Sequence, residues 1–254
     1  MRTESRPESR PMISEPAGAE AAKGTGGGTD NGGASTSRVT TRVVLIRHGE
    51  TEWNRDRRIQ GQTDTPLSAL GQQQALAIGQ RLKRERFTAI YASDLQRAWN
   101  TALAIGQATL AERPDAPQPI ADRRLREMDF GEWEGKTSAE IAASHPEEHA
   151  RSKHRDADFR IPGGESFRDL YERTVDAVTS LVDSHPGGAL CVVAHGGILD
   201  MMYRHTHAIP LDQPRVFSLY NAAYNCLEHE AGRFRLEVWG EVAHLDALSD
   251  AVVT

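Results

Sequence analysis

Two apolar runs that each end abruptly in a histidine followed by glycine constrain this chain more than any other feature. The first, Val43 to Ile46, runs straight into Arg47, His48 and Gly49, within VVLIRHGETEWN. The second, Leu190 to Ala194 (LCVVA), stops at His195, Gly196 and Gly197, after which Ile198, Leu199, Met201 and Met202 resume at helical spacing. Short, β-branched runs without alternation read as strands buried on both faces, the kind found in parallel sheets covered by helices. In open α/β sheets, ligands bind beyond the carboxyl ends of the strands. If these two runs are neighbours, both imidazoles and the Arg47 cation meet in one crevice.

The rest of the chain supplies the helices that such a sheet needs. Ser68 is a plausible cap for a helix through Gln72 to Arg84, with Ala75, Leu76, Ile78, Gly79 and Leu82 as its buried stripe. AIYAS (Ala89 to Ser93) reads as a strand, and Asp94 as the cap of a helix that turns Leu95, Ala98, Trp99, Ala102, Leu103 and Ile105 inward. A compact loop, Leu125 to Gly135 (LREMDFGEWEG), precedes a short helix around Ser138 to Ala143. His145 to Arg160 is charged, lacks a periodic apolar stripe and reads as a loop. Phe167 to Val182 is amphipathic and helical, and the part from Val216 reads as strands with a turn at His229 to Arg233. Alternating strands and helices predict a three-layer α/β/α sandwich with a largely parallel central sheet.

Residues 1–38 are set apart by composition. Stretches such as AAKGTGGGTDNGGASTSR offer little apolar surface to offset the entropy of ordering, so a disordered N-terminal extension is expected before one domain at 39–254. A net charge of −6 argues against nucleic-acid and membrane-surface partners, so any attraction for an anion must be local. No window approaches the roughly 18 apolar residues of a membrane span. Cys191 and Cys226 lack metal or redox spacing and read as small buried residues, which fits a cytoplasmic location. His145, His149 and His154 are too loosely spaced for a metal site, and no metal is expected.

Phosphoester chemistry needs cations and amides for the phosphate oxygens, a nucleophile, and a proton for the leaving alcohol. Arg47 offers a bidentate fork and His48 a nucleophile, while the amides of Gly49 and Gly196 are candidate donors. Arg97, in the first turn of a helix that follows a strand, points towards the same sheet edge.

These blocks, with RIQGQTDTPLSALGQQQA, YASDLQRAWNTA, LREMDFGEWEG, PGGES and VVAHGG in order, resemble the histidine phosphatase superfamily, also called phosphoglycerate mutase-like, over about Arg42 to Trp239. The resemblance implies that His48 accepts the phosphoryl group. Arg47, Arg97 and His195 complete the phosphate pocket, with Asn54, Gln60 and Gly61 at its entrance. Glu127 is implied as general acid and then base.

Two enzyme readings follow from the resemblance. In mutases of this family an arginine follows the acid/base glutamate and a basic insertion precedes the PGGE-like block. Here Met128 follows Glu127, and Arg151, Lys153, Arg155 and Arg160 are nearly balanced by Glu147, Glu148, Asp156 and Asp158. A metal-independent phosphatase acting on a small phosphorylated metabolite is therefore the expectation, near the broad-specificity and α-ribazole phosphatase-like branch. The alternative is a mutase that uses 2,3-bisphosphoglycerate as cofactor. A third reading, a catalytically silent phospho-ligand binding module, is disfavoured because Arg47, His48, Arg97, Glu127 and His195 are all kept. A homodimer through a sheet edge or helix is compatible with the chain.

Overall fold

The two histidine-ended strands lie side by side at the centre of a six-stranded sheet. The computed structural model describes residues 39–250; the extension expected at 1–38 lies outside them. The strands are β1 (Thr41–Arg47), β2 (Ala89–Ala92), β3 (Pro119–Ala121), β4 (Ala189–Ala194), β5 (Tyr224–Glu230) and β6 (Arg233–Glu241). Their order is β3-β2-β4-β1-β5-β6. The first four are parallel to one another, while β5 and β6 close one side antiparallel.

This order dictates where the helices go. The chain steps outward from β1 to β2 and on to β3 through α2 (Ala69–Leu82) and α3 (Gln96–Glu112), and then reverses to reach β4 through α6 (Phe167–Asp183). Right-handed crossovers put helices that travel in opposite directions on opposite faces. The two cores follow suit. Val44, Ile46, Cys191 and Val193 pack in one cluster with Ile78, Leu82, Ala98 and Ile105. Val43, Leu45, Leu190 and Val192 pack in the other with Leu170, Val178, Leu181 and Ile198 of α6 and of α7 (Gly196–His207). Val43 to Ile46 are fully buried, each side chain contributing about 1.5–3 kcal/mol of hydrophobic stabilisation.

Several local expectations need correction. The second helix starts as expected, with Ser68 Oγ accepting from the Gly71 amide as its cap, but ends at Leu82 rather than Arg84. Leu76 is 61% exposed and lies off the buried stripe. Asp94 does not cap α3. The N-cap is Leu95, without a side-chain bond, because Asp94 is held by Arg126 through two 2.7 Å bonds. The segment after His145 is not a loop throughout: α4 (Ser138–Ser144) is followed directly by α5 (Pro146–Lys153), which buries no residue. Proline at its first turn, Glu147 and Glu148 near its start and Arg151 and Lys153 near its end support a helix without an apolar stripe. Two short helices complete the elements, α1 (Glu52–Arg55) and α8 (Asp246–Asp250).

Candidate active site

Main-chain bonding carries the two histidines into one crevice. In the β1–β4 ladder Arg47 pairs with Ala194, and the His48 amide donates to the Ala194 carbonyl at 3.0 Å. The next residues along, His48 and His195, have ring centroids 5.1 Å apart. His195 is also the N-cap of α7, so the helix N-terminus, where unsatisfied amides and the macrodipole favour negative charge, opens onto the same crevice.

His48 is 2% exposed, and its Nδ1 lies 2.6 Å from the Gly49 carbonyl. A carbonyl only accepts, so Nδ1 carries the proton and Nε2 keeps the lone pair. Burial, followed by Arg97 and then Arg47, holds the His48 pKa well below the usual imidazole value. The same causes in the same order, with His48, Arg47 and Arg173 after Arg97, hold His195 well below it. Both rings are therefore neutral at physiological pH.

Two arginines face them. Arg97 is fully buried, with Nη1 donating to the Thr63 carbonyl at 2.9 Å and Nη2 to the Gly61 carbonyl at 2.6 Å. Gly61 adopts φ +55°, and a Cβ there would fall 1.9 Å from Glu134 Oε1, so this turn requires glycine. Arg47 donates through Nη1 to the Leu219 carbonyl. Burial lowers the pKa of both guanidiniums, against the opposing pull of Glu127, yet arginine stays charged. Arg47 Nε, Arg97 Nε and both ring nitrogens of His195 are buried and have no hydrogen-bond partner among the described residues. Buried polar atoms are almost always satisfied, so a convergent set of orphaned donors marks an anion site.

Glu127 completes the group. Its Oε1 accepts from the Met128 amide at 2.8 Å and from the Gly197 amide at 3.1 Å. The loop around it is clamped from α6. Arg173 donates to the carbonyls of Arg124 and Arg126 at 2.7 and 2.8 Å and to that of Glu127 at 3.3 Å, while pairing with Glu165. Glu165 in turn accepts from the Asp129 amide at 2.9 Å. Sequence reasoning missed Gly197, Glu165 and Arg173, although the second glycine of VVAHGG and the glutamate of PGGES were the available signals.

The structure thus brings together Arg47, His48, Arg97, Glu127 and His195, and revises the smaller parts. The Gly49 amide is not a free donor, since it donates to Thr101 Oγ1 at 3.1 Å. Gly49 instead permits a close backbone approach: a Cβ there would lie 2.3 Å from the Gly71 carbonyl oxygen, and a Cβ on Gly71 1.9 Å from that of Glu50. A Cβ at Gly196 would lie 3.6 Å from Arg47 Nε and 3.8 Å from Glu127 Oε2, which places this residue between the cation and the acid. Asn54 Oδ1 accepts from the amide and hydroxyl of Thr51 as part of a capping box, leaving only its amide nitrogen for a ligand. Gln60 Oε1 accepts from Thr65 Oγ1 at 2.5 Å and braces the loop that holds Arg97. Of the aromatics between Leu219 and Leu227, Tyr224 is buried and Tyr220 is 53% exposed. Among the described residues no three His, Cys, Asp or Glu side chains gather as metal ligands, and no helix is long and apolar enough to cross a membrane.

Known proteins share this arrangement of the chain. The family model of the histidine phosphatase superfamily, branch 1, matches residues 43–242. A metal-independent phosphoserine phosphatase of Arabidopsis thaliana is 37% identical over 211 residues, covering 82% of this chain and 84% of the relative. Phosphoglycerate mutase-like protein 4 of the same plant is 34% identical, covering 80% and 86%. Among solved structures, YhfR of Bacillus stearothermophilus superposes with a TM-score of 0.73 at 35% identity, covering 81% of this chain and all of that one. With five of the sheet's six strands and most of β1, both histidines and the Glu127 loop inside the matched span, the chain belongs to the histidine phosphatase superfamily.

Proposed function

We propose that the protein is a metal-independent phosphomonoester hydrolase working through a phosphohistidine on His48. The observation that carries this reading is the convergence of a buried imidazole, its Nε2 lone pair set by the Gly49 carbonyl, on the orphaned donors of Arg47, Arg97 and His195. Those donors suit the three equatorial oxygens of a transferring phosphoryl group, where charge stabilisation supplies most of the catalysis.

In the first step Nε2 of His48 bonds to phosphorus as the bond to the alkoxide oxygen breaks, and the carboxyl of Glu127 delivers a proton to that oxygen. In the second, the Glu127 carboxylate takes a proton from water. The oxygen bonds to phosphorus, the P–N bond breaks, and phosphate leaves with His48 neutral again. The amides of Met128 and Gly197 aim the carboxylate, and the Arg173 clamp fixes the loop that carries it. No step calls for a metal, which agrees with the name of the Arabidopsis phosphoserine phosphatase. A mycobacterial glucosyl-3-phosphoglycerate phosphatase solved with VO3, 34% identical with a TM-score of 0.68 and covering 79% of this chain and 99% of that one, supports hydrolysis of a small phosphorylated metabolite.

Acid quenching with a labelled phosphomonoester, in the presence of a chelator, tests the reading. Acid-labile label on the wild type and none on His48→Ala, together with phosphate release, is the expected result. Interconversion of 2- and 3-phosphoglycerate that depends on 2,3-bisphosphoglycerate, with little release, would make the protein a mutase instead.

A further inference from the structure

We propose that Arg155 and Arg215 form a second anion site in the catalytic cleft, beside the phosphate pocket, reading a carboxylate or second phosphate on the alcohol half of the substrate. The inference rests on the hydrolase reading above and names its substrate class, phosphomonoesters whose alcohol is itself anionic.

A cleft of about 350 Å³ is lined by Arg47, Glu127 and Gly197 together with Arg155, Asp200 and Arg215. Met128, Phe130, Phe167 and Leu219 supply apolar lining, and Arg215 is near enough to both Arg47 and Arg155 to lower their pKa values. Several neighbouring charges in the segment that carries Arg155 are paired locally: Arg151 with Asp156 at 2.7 Å, Arg160 with Asp169 at 2.8 Å, and Asp158 with Arg168. Arg155 instead turns into the cleft. Its Nε donates to the Leu211 carbonyl at 3.0 Å and its guanidinium lies 4.7 Å from the centre of the Phe167 ring. Nη2 is buried without a hydrogen-bond partner among the described residues.

The nearby carboxylate neutralises it only in part. Asp200 lies 3.6 Å from Arg155 Nη2 but is bonded to the fully buried Arg204 at 2.8 Å. Two guanidiniums therefore share one carboxylate, with Arg215 lining the same cleft, in a chain whose net charge is −6. Burial, then Arg204, lowers the Arg155 pKa; Asp200 offsets this in part and Arg215 adds to it. The backbone of Arg155 also sits at φ +53°, a conformation that costs a non-glycine residue energy and that clusters at functional sites. A bound anion would relieve the cationic repulsion and satisfy the orphaned nitrogen together.

Matched substrates test the proposal. 3-Phosphoglycerate and glycerol 3-phosphate differ by a carboxylate in place of a hydroxymethyl group; fructose 1,6-bisphosphate and fructose 6-phosphate differ by the second phosphate. The wild type is expected to prefer at least one anionic member by about tenfold or more in kcat/KM, the scale of a charge-assisted contact, and the preferred pair identifies the anion. In Arg155→Met/Arg215→Gln that ratio should fall to about one, with the change mainly in KM. Arg215 is exposed, so Arg215→Gln alone should fold and lose part of the ratio, whatever happens to the double variant. Equal rates within both pairs for the wild type, or an undiminished ratio in Arg215→Gln and in a folded double variant, would overturn the second site while leaving phosphate release and the His48 label intact. No turnover of any ester and no label would instead remove the parent reading and this one with it.

Discussion

Gly197→Ala separates the geometry of Glu127 from the stability of the fold. An alanine Cβ at this position would lie 2.2 Å from Glu127 Oε1 and 3.0 Å from Leu170 Cδ2. The carboxylate, the free end of a flexible side chain, would have to withdraw by about 1 Å to reach ordinary contact. Its bonds from the Gly197 amide, 3.1 and 3.2 Å to the two oxygens, would lengthen with it. A misplacement of about 1 Å in a catalytic group costs about 10²-fold, or about 2.7 kcal/mol in the barrier. Stability should move little. Alanine is preferred over glycine within a helix by about 0.5–1 kcal/mol, offsetting the Leu170 contact, so Tm should stay within about 3 °C. The assay compares kcat/KM, which reports formation of the phosphohistidine and not its hydrolysis, on an alkyl phosphate, whose leaving oxygen needs a proton, and on p-nitrophenyl phosphate, whose leaving oxygen hardly does. The alkyl substrate should lose about 10²-fold and the aryl one much less. Equal losses in kcat/KM, or an alkyl kcat/KM within threefold of native, would refute the idea that the Gly197 amide aims a proton donor.

Three further outcomes follow from the same geometry. Because His48 and His195 are both held well below the ordinary imidazole pKa, the unfolded chain takes up protons that the fold refuses. Stability should be full above about pH 6.5 and fall below it by up to about 1.4 kcal/mol per pH unit for each histidine; urea midpoints from pH 8 to 5 should show a shallower decline for His195→Asn. Arg173→Met should lower kcat by about tenfold through a loosened Glu127 loop, with partial recovery in Arg173→Lys and faster amide exchange at 124–129, since hydrogen bonds to three carbonyls are lost. Asp200→Ala leaves the fully buried Arg204 uncompensated and should cost about 3–5 kcal/mol, readable in denaturant unfolding.

Much of this site was legible because main-chain rules placed it. Two unbroken apolar runs ending in histidine specify buried parallel strands; that they are neighbours comes from the ladder from Arg42–Ala189 to Arg47–Ala194. Ser68 was read as a cap for a similar reason: its signal is local. The failures come where a residue's partner is distant in sequence. Asp94 looks like a cap until Arg126, 32 residues on, captures it. Arg173 looks like any arginine on an amphipathic helix, and nothing near it announces the carbonyls it binds 46 to 49 residues earlier. The α5 helix was missed because periodicity was asked to reveal a helix that buries nothing, whereas its proline start and its charge order were in plain view.

The touching backbones of Gly49 and Gly71 have a consequence for how such a chain can diverge. Each glycine is hemmed in by main chain rather than by a side chain that could be traded for a smaller one. No substitution elsewhere can therefore make room for a methyl group at either position without moving the loop after β1 away from α2. The two positions, 22 residues apart in sequence, behave as separate locks on one door, neither of which opens when the other is changed. Drift in this region should consequently spare both glycines for as long as the loop keeps its seat on α2, even where every neighbouring side chain has been replaced.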